Sequence, residues 1–229
     1  MIKNKITQKE VHALSAVLLC LIFFIIIPFI LVHFLPASAD WLRKQNLLLM
    51  SPAIIIGLLL KFITGETLLK KSDFINIPFG RISLWSIGMI FLCGTASLVW
   101  IKLLEILQID YSKEVPINDM IRSCADTELI FAGIFICILI PVFEEIIFRR
   151  MIFEGINDRC PPAFSTAVTS LLFAALHGIL FQLFPLLLLG VYFQLLYNKE
   201  RKLGLSIYAH VFNNTIAFSA LLLLRYMPV

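Results

Sequence analysis

Long runs without a single charge, separated by short polar clusters, set the pattern of this chain. Six such runs can be read directly: Val11 to Ala39, Gln45 to Leu60, Ile82 to Ile101, Leu129 to Phe143, Cys160 to Asn198, and Leu203 to Leu224. A helix needs roughly 20 apolar residues to cross a bilayer core. The fifth run is about twice that length and is punctuated by Gly178 and Pro185, so it should fold as two spans. Two runs are short. Gln45 to Leu60 reaches full length only if Lys61 snorkels, and Leu129 to Phe143 only if Glu144 and Glu145 lie inside the helix. The pattern predicts an all-α polytopic membrane protein, a bundle of about seven transmembrane helices forming a single integral membrane domain over residues 1–229. No repeat period, low-complexity tract, nucleotide-binding glycine loop or soluble domain interrupts it.

Composition agrees. Only 15% of the residues are charged and 60% are hydrophobic, with a mean hydropathy of +0.94, more apolar surface than a soluble domain of this length could hide. The net charge of +4 does not point to nucleic acid, because the 19 Lys and Arg are scattered between spans and form no stripe. They read as topology signals. A cytoplasmic N-terminus places Lys3, Lys5, Lys9, Lys61, Lys70, Lys71, Arg81, Arg149, Arg150, Arg159, Lys199, Arg201 and Lys202 inside, and leaves Arg43, Lys44, Lys102, Lys113, Arg122 and Arg225 outside. Seven spans with the C-terminus outside therefore satisfy the positive-inside rule. The acidic connection from about Gln108 to Asp126 then falls outside, and Trp41, Trp85, Trp100 and Tyr226 fall near span ends, as in an aromatic belt. Ala37-Ser38-Ala39 has the form of a signal-peptidase site, but the uncharged stretch before it is much longer than an h-region of roughly 7 to 15 residues, which favours a retained helix. Cys20, Cys93, Cys124, Cys137 and Cys160 show no paired spacing, so neither a disulfide framework nor a thiolate metal site is expected.

Against this background one segment is conspicuous. Phe143-Glu144-Glu145-Ile146-Ile147-Phe148-Arg149-Arg150 puts two carboxylates and two guanidiniums at the end of an apolar run, where ionisable groups mark function by default. Residues four apart share a helix face while neighbours diverge by about 100°. Glu145 should thus pair with Arg149, leaving Glu144 available. The same spacing recurs in Phe173/His177 and His210/Asn214, each a polar stripe on an apolar helix. Counted from inner ends near Gly155, Pro161 and Leu203, Glu144 lies about 16 Å deep, His177 about 24 Å and His210 about 10 Å, a spread that helix tilt and uncertain ends must absorb. Pro141 cannot donate a backbone hydrogen bond; it should free the carbonyl of Cys137 and kink the helix, although membrane helices also tolerate proline routinely. His12 and His33 read as structural and Asn213 as a helix-packing residue; Gln182, Gln194 and Tyr208 could line the cavity, but nothing in the sequence distinguishes them from ordinary interhelical polar groups.

Hydrolysis of a peptide bond requires a base for water and donors for the developing oxyanion. A carboxylate in a poorly solvated site suits the first task, and His and Asn side chains the second. In this order, Glu-Glu-x-x-x-Arg, Phe-x-x-x-His and His-x-x-x-Asn resemble the CPBP family of intramembrane endopeptidases, which includes the CAAX prenyl proteases and the bacterial Abi proteins. The motifs cover Glu144 to Asn214, within a catalytic core of about residues 127–224. The resemblance implies that Glu144 activates water with help from His177, that His210 and Asn214 stabilise the oxyanion, that Glu145 and Arg149 form an architectural ion pair, and that Phe173 packs the pocket. It also implies a membrane-embedded or lipidated protein or peptide substrate within the lipid bilayer. Arg150 departs from the pattern, since many members carry Gly there.

Two other classes remain open on the sequence. Glu, His and Arg inside membranes also build proton-coupled transporters, though no matched pair of Gly/Pro-broken helices in two halves is visible. A catalytically silent scaffold or immunity protein on the same fold would look identical. A divalent metal such as zinc is a further alternative, with Glu144, His177 and His210 as its ligands. No His-Glu-x-x-His motif is present, no acidic residue in the spans is an obvious partner for either histidine, and Asn is a poor zinc ligand. The expectation is a glutamate-activated water without a metal cofactor.

Overall fold

The computed structural model of the protein describes residues 68–111 and 126–226. The first two apolar runs, His12, His33, Trp41, Lys61, Cys20, Cys124 and most of the acidic connection lie outside the described residues, as does any test of the count of seven. Among the described residues every regular element is helical. Helix α1 spans Phe79–Ile106. A continuous helical path over residues 126–157, here α2, follows. Then come α3, Pro162–Leu176, α4, Leu183–Glu200, and α5, Leu203–Tyr226. Four of these five, all but the 15-residue α3, are long and apolar enough to cross a membrane. The α1 surface carries Leu84, Phe91, Leu98 and Val99 fully exposed, side chains that water would not tolerate in such density and that lipid accepts. This is an integral membrane protein.

The long run from Cys160 does fold as two helices, but the break comes earlier than Pro185. Gly178 has a left-handed φ of +66°, a conformation that costs other residues their Cβ clearance. It ends α3, and a 3-10 turn over Leu180–Gln182 leads into α4. Trp100 of α1 holds this connection by donating its indole N–H to the Leu180 carbonyl at 2.8 Å. Pro185 sits harmlessly in the first turn of α4, where its missing N–H would have had no helical partner.

Helix α2 is irregular on both sides of the paired glutamates. A π-helical stretch, Phe135–Leu139, precedes the short α-helical piece Ile140–Glu145. A second, Ile146–Phe153, follows it. Such wide turns inside α-helices occur frequently at functional sites.

Helix α4 packs against α3, α5 and α1, and α5 packs against α2 as well. Their shared core contains Phe148, Phe153, Phe173, Phe193 and Tyr197, all essentially inaccessible. At the end of the bundle where α5 begins, the segment 70–77 folds over the helix starts. The buried Asp73 accepts hydrogen bonds from the backbone N–H groups of Lys70 at 2.8 Å and Leu203 at 3.3 Å. It also pairs with Arg150 at 2.7 Å. Gly204 is required there, because a Cβ would collide with the Asp73 carbonyl oxygen. On the same side Glu154 accepts from Tyr197 at 2.7 Å and Arg201 at 2.8 Å. These contacts make an ionic collar around the helix ends, and Arg150, the departure from the family pattern, is one of its members.

Candidate active site

The short α-helical piece of α2 carries Glu144 and Glu145 into the core, both buried. As the four-residue spacing requires, Arg149 Nε donates to Glu145 Oε2 at 2.9 Å, with both side chains wholly inaccessible. Glu145 does more than form that pair. Its other oxygen, Oε1, lies 3.0 Å from His210 Nδ1 on α5, so the carboxylate is closed by one partner on each oxygen. The expectation that no acidic residue supports either histidine is therefore corrected. The 100° turn between adjacent helical residues sends Glu145 toward Arg149 and the Nδ1 edge of His210, and Glu144 toward the other edge of the same ring.

Glu144 faces both histidines. His210 Nε2 lies 3.5 Å from its Oε2, and His177 Nε2 lies 4.0 Å from its Oε1. Glu144 Oε2 has no hydrogen-bond partner among the described residues. His177 closes the C-terminal end of α3, where its Nδ1 pairs with the Phe173 carbonyl oxygen at 2.7 Å. That carbonyl is an acceptor only, so Nδ1 carries hydrogen, and the Nε2 edge of the ring faces Glu144. The His177 side chain is 27% exposed and Glu144 9%, making His177 the open side of the cluster.

Aromatic rings fix the imidazoles. Phe193 of α4 stacks on His210 at 4.5 Å with 20° between planes. Phe173 touches the His177 ring at 4.7 Å and meets the His210 ring edge-on at 5.7 Å. Phe193 lies seven residues before Glu200 and His210 seven after Leu203, so the stacking is what a hairpin of antiparallel helices of equal rise dictates.

Asn214 stands apart from this contact set. Its amide Nδ2 donates to the Ile136 carbonyl oxygen of α2 at 2.9 Å, and not to Glu144 or either histidine. This bond bears on Pro141, which in an α-helical register should free the Cys137 carbonyl. The N–H of Ile140 reaches back five residues to the Phe135 carbonyl, and in that register the next donor, to Ile136, would be residue 141. Proline has none. The freed carbonyl is thus that of Ile136. Asn213 bonds the Ala209 carbonyl of its own helix at 2.7 Å. Tyr208 pairs with Ser83 on α1 at 2.8 Å.

Gln194 is a support that the sequence did not single out. Fully buried on α4, it accepts from Arg149 Nη1 at 3.2 Å and donates to Asn198 at 3.0 Å, so Arg149 is fixed from a second helix. Its glutamine four residues before an asparagine on an apolar helix was the available signal, but it is indistinguishable in sequence from interhelical packing. Arg149, counted among the topology charges, is wholly buried against Glu145.

For a catalytic zinc, three side chains must converge on one point at about 2.0–2.2 Å. No group of three His, Cys, Asp or Glu among the described residues does so. The carboxylate behind His210 Nδ1 is of the kind that metal-ligating histidines have; the converging third ligand is what the arrangement lacks. Among the described residues Cys93 and Cys137 are buried free thiols and Cys160 is half-buried.

Comparison with known proteins bears on the same stretch of chain. Residues 126–216, which contain the whole cluster, match the family described as type II CAAX prenyl endopeptidase Rce1-like. Over this segment the chain is similar to the CPBP/CAAX family. A protein of Bacillus subtilis (strain 168) named "Putative membrane peptidase YdiL" is 32% identical over 75 residues, 33% of this chain and 31% of that protein. The match thus spans about a third of the length of this relative. No solved structure matches the chain.

Proposed function

We propose that the chain is an intramembrane endopeptidase that hydrolyses a peptide bond of a membrane-anchored or lipidated substrate, with water activated by Glu144. The observation that carries this reading is the unequal state of the two adjacent carboxylates: Glu145 has a partner on each oxygen, whereas Glu144 faces two imidazole Nε2 atoms and keeps Oε2 without a hydrogen bond. A water seated between Glu144 and His177 would give its proton to the carboxylate as its oxygen attacks the carbonyl carbon. His210 would offer its Nε2 to the developing oxyanion. Because Nδ1 faces the acceptor-only Glu145, it keeps its hydrogen, and donation to the oxyanion requires a second hydrogen on Nε2. Asn214, with one amide hydrogen committed to Ile136, retains a second for the oxyanion. Breakdown then cleaves the C–N bond, with the proton held by Glu144 passing to the leaving amine.

This mechanism uses no metal. Elemental analysis of active, purified protein tests that part: stoichiometric zinc, with activity lost on chelation and restored by zinc, would overturn it and make Glu144, His177 and His210 ligands. The orientation proposed is cytoplasmic N-terminus and external C-terminus, which a reporter fused after Val229 checks; reporter activity in the cytoplasm would reverse it. For the substrate, membrane proteomics of a strain carrying Glu144→Gln against its parent should reveal uncleaved precursors. An identical peptide profile, with the variant protein present at normal level, would count against proteolysis and favour a binding role on the same fold.

A further inference from the structure

We propose that Pro141 is a positioning residue for Asn214, acting through the carbonyl oxygen it leaves free on Ile136; this rests on the reading of Asn214 as an oxyanion donor. The π-helical turn Phe135–Leu139 hands its N–H donors back five residues, as the bond from Ile140 to the Phe135 carbonyl shows. Continuing that register assigns residue 141 to the Ile136 carbonyl, and a proline there leaves it without a backbone donor. In the bilayer no water is at hand to replace the donor, and an unpaired carbonyl costs free energy. Asn214, 78 positions from Ile136 in sequence and on α5, supplies the bond at 2.9 Å.

That bond decides how the side chain lies. A carbonyl oxygen is an acceptor only, so the nitrogen end of the Asn214 amide must face Ile136, which settles an O/N assignment otherwise ambiguous. One amide hydrogen is then anchored, and the direction of the other is fixed by the planarity of the group. Asn214 lies one helical turn beyond His210, so the anchored amide presents its remaining hydrogen from α5 with no loss of side-chain freedom at the moment of reaction. A second contact restrains the same turn: the Cys137 thiol lies 3.7 Å from the Asn214 backbone carbonyl. An alanine at position 141 would provide the missing N–H, satisfy Ile136 from within α2 and release the amide.

The test is a double-mutant cycle of Pro141→Ala and Asn214→Ala in the full-length chain, read both by thermal unfolding in detergent and by peptide cleavage. The thermal arm does not depend on any enzymatic activity. Asn214→Ala should lower the melting temperature by several degrees in the Pro141 background, since it strands the Ile136 carbonyl, and by less than half as much in the Pro141→Ala background. Equal losses in the two backgrounds would show that residue 141 and Asn214 do not share that carbonyl, and the proposal would fall. In the cleavage arm, Pro141→Ala should fold at least as well as the parent yet lose kcat by about tenfold or more with KM little changed, and add nothing to the loss from Asn214→Ala. A Pro141→Ala protein of parental kcat would also refute the positioning role. Thermal coupling in a chain that cleaves nothing would keep the hydrogen-bond exchange and remove the peptidase reading instead.

Discussion

Two ionic clusters draw on the π-helical stretch Ile146–Phe153, one through Arg149 and the other through Arg150, and they differ in how completely their charges are closed. In the collar, Asp73 has two backbone donors and Arg150, and Glu154 has Tyr197 and Arg201. In the inner cluster Glu145 is closed in the same manner by Arg149 and His210, but its neighbour Glu144 is not. A buried charge whose every oxygen is bonded holds helices together and resists protonation changes. One left open beside two imidazoles is available to a substrate or a water. The contrast separates architecture from chemistry within one helix, and even between adjacent residues.

Breaking the closed member of the inner cluster should have the broadest effect. Glu145→Gln leaves Arg149 without its charge partner in a fully inaccessible site and removes the anchor of His210 Nδ1. We expect a loss of about 3–5 kcal/mol in stability together with a large fall in activity, read by melting curves and cleavage assays on the same sample. Normal folding with normal activity would erase the distinction between the two glutamates. The collar should respond in stability alone. Asp73→Ala removes the bonds to Lys70, Leu203 and Arg150 and should cost about 2–3 kcal/mol, while kcat of the surviving folded protein stays within a few-fold of the parent. A greater loss of kcat than of stability would place the collar in the catalytic machinery. Replacing Phe193 with Leu keeps the core apolar but removes the ring stacked on His210, so kcat should fall several-fold with little change in KM. Lys102 and Glu105 pair on the exposed surface of α1 at 2.8 Å, and Lys102→Ala should change neither melting nor cleavage measurably; a clear effect there would mean that α1 carries more than a lipid-facing surface.

Much of this was legible in the sequence because it follows from periodicity along single helices. The Glu145–Arg149 pair, the divergence of Glu144 and the fold of the long fifth run into two helices all rest on local geometry. What was hidden depends on contacts between helices or on departures from α-helical register. Glu145 reaches His210 across 65 positions, and no spacing rule encodes that. Gln194 looks like any other polar residue of a membrane helix until Arg149 is found against it. The bond of Asn214 to the Ile136 carbonyl was hidden as well, because the four-residue rule of the α-helix does not apply where the chain makes a five-residue turn. Arg150 was visible as a departure from the family pattern, but its partner Asp73 belongs to a segment whose packing over α5 depends on the missing side chain of Gly204.

The central claim, that the open carboxylate is the reactive one, is tested most directly by the rate at which purified Glu144→Gln protein in lipid vesicles cleaves a membrane-anchored peptide that the parent cleaves. Glutamine keeps the size and burial of the side chain but cannot accept the water's proton. The account predicts a loss of kcat of about a thousandfold or more, with a melting curve close to the parent's because no hydrogen bond of the fold ends on Glu144 Oε2. A folded Glu144→Gln protein that cleaves within about tenfold of the parental rate would contradict it.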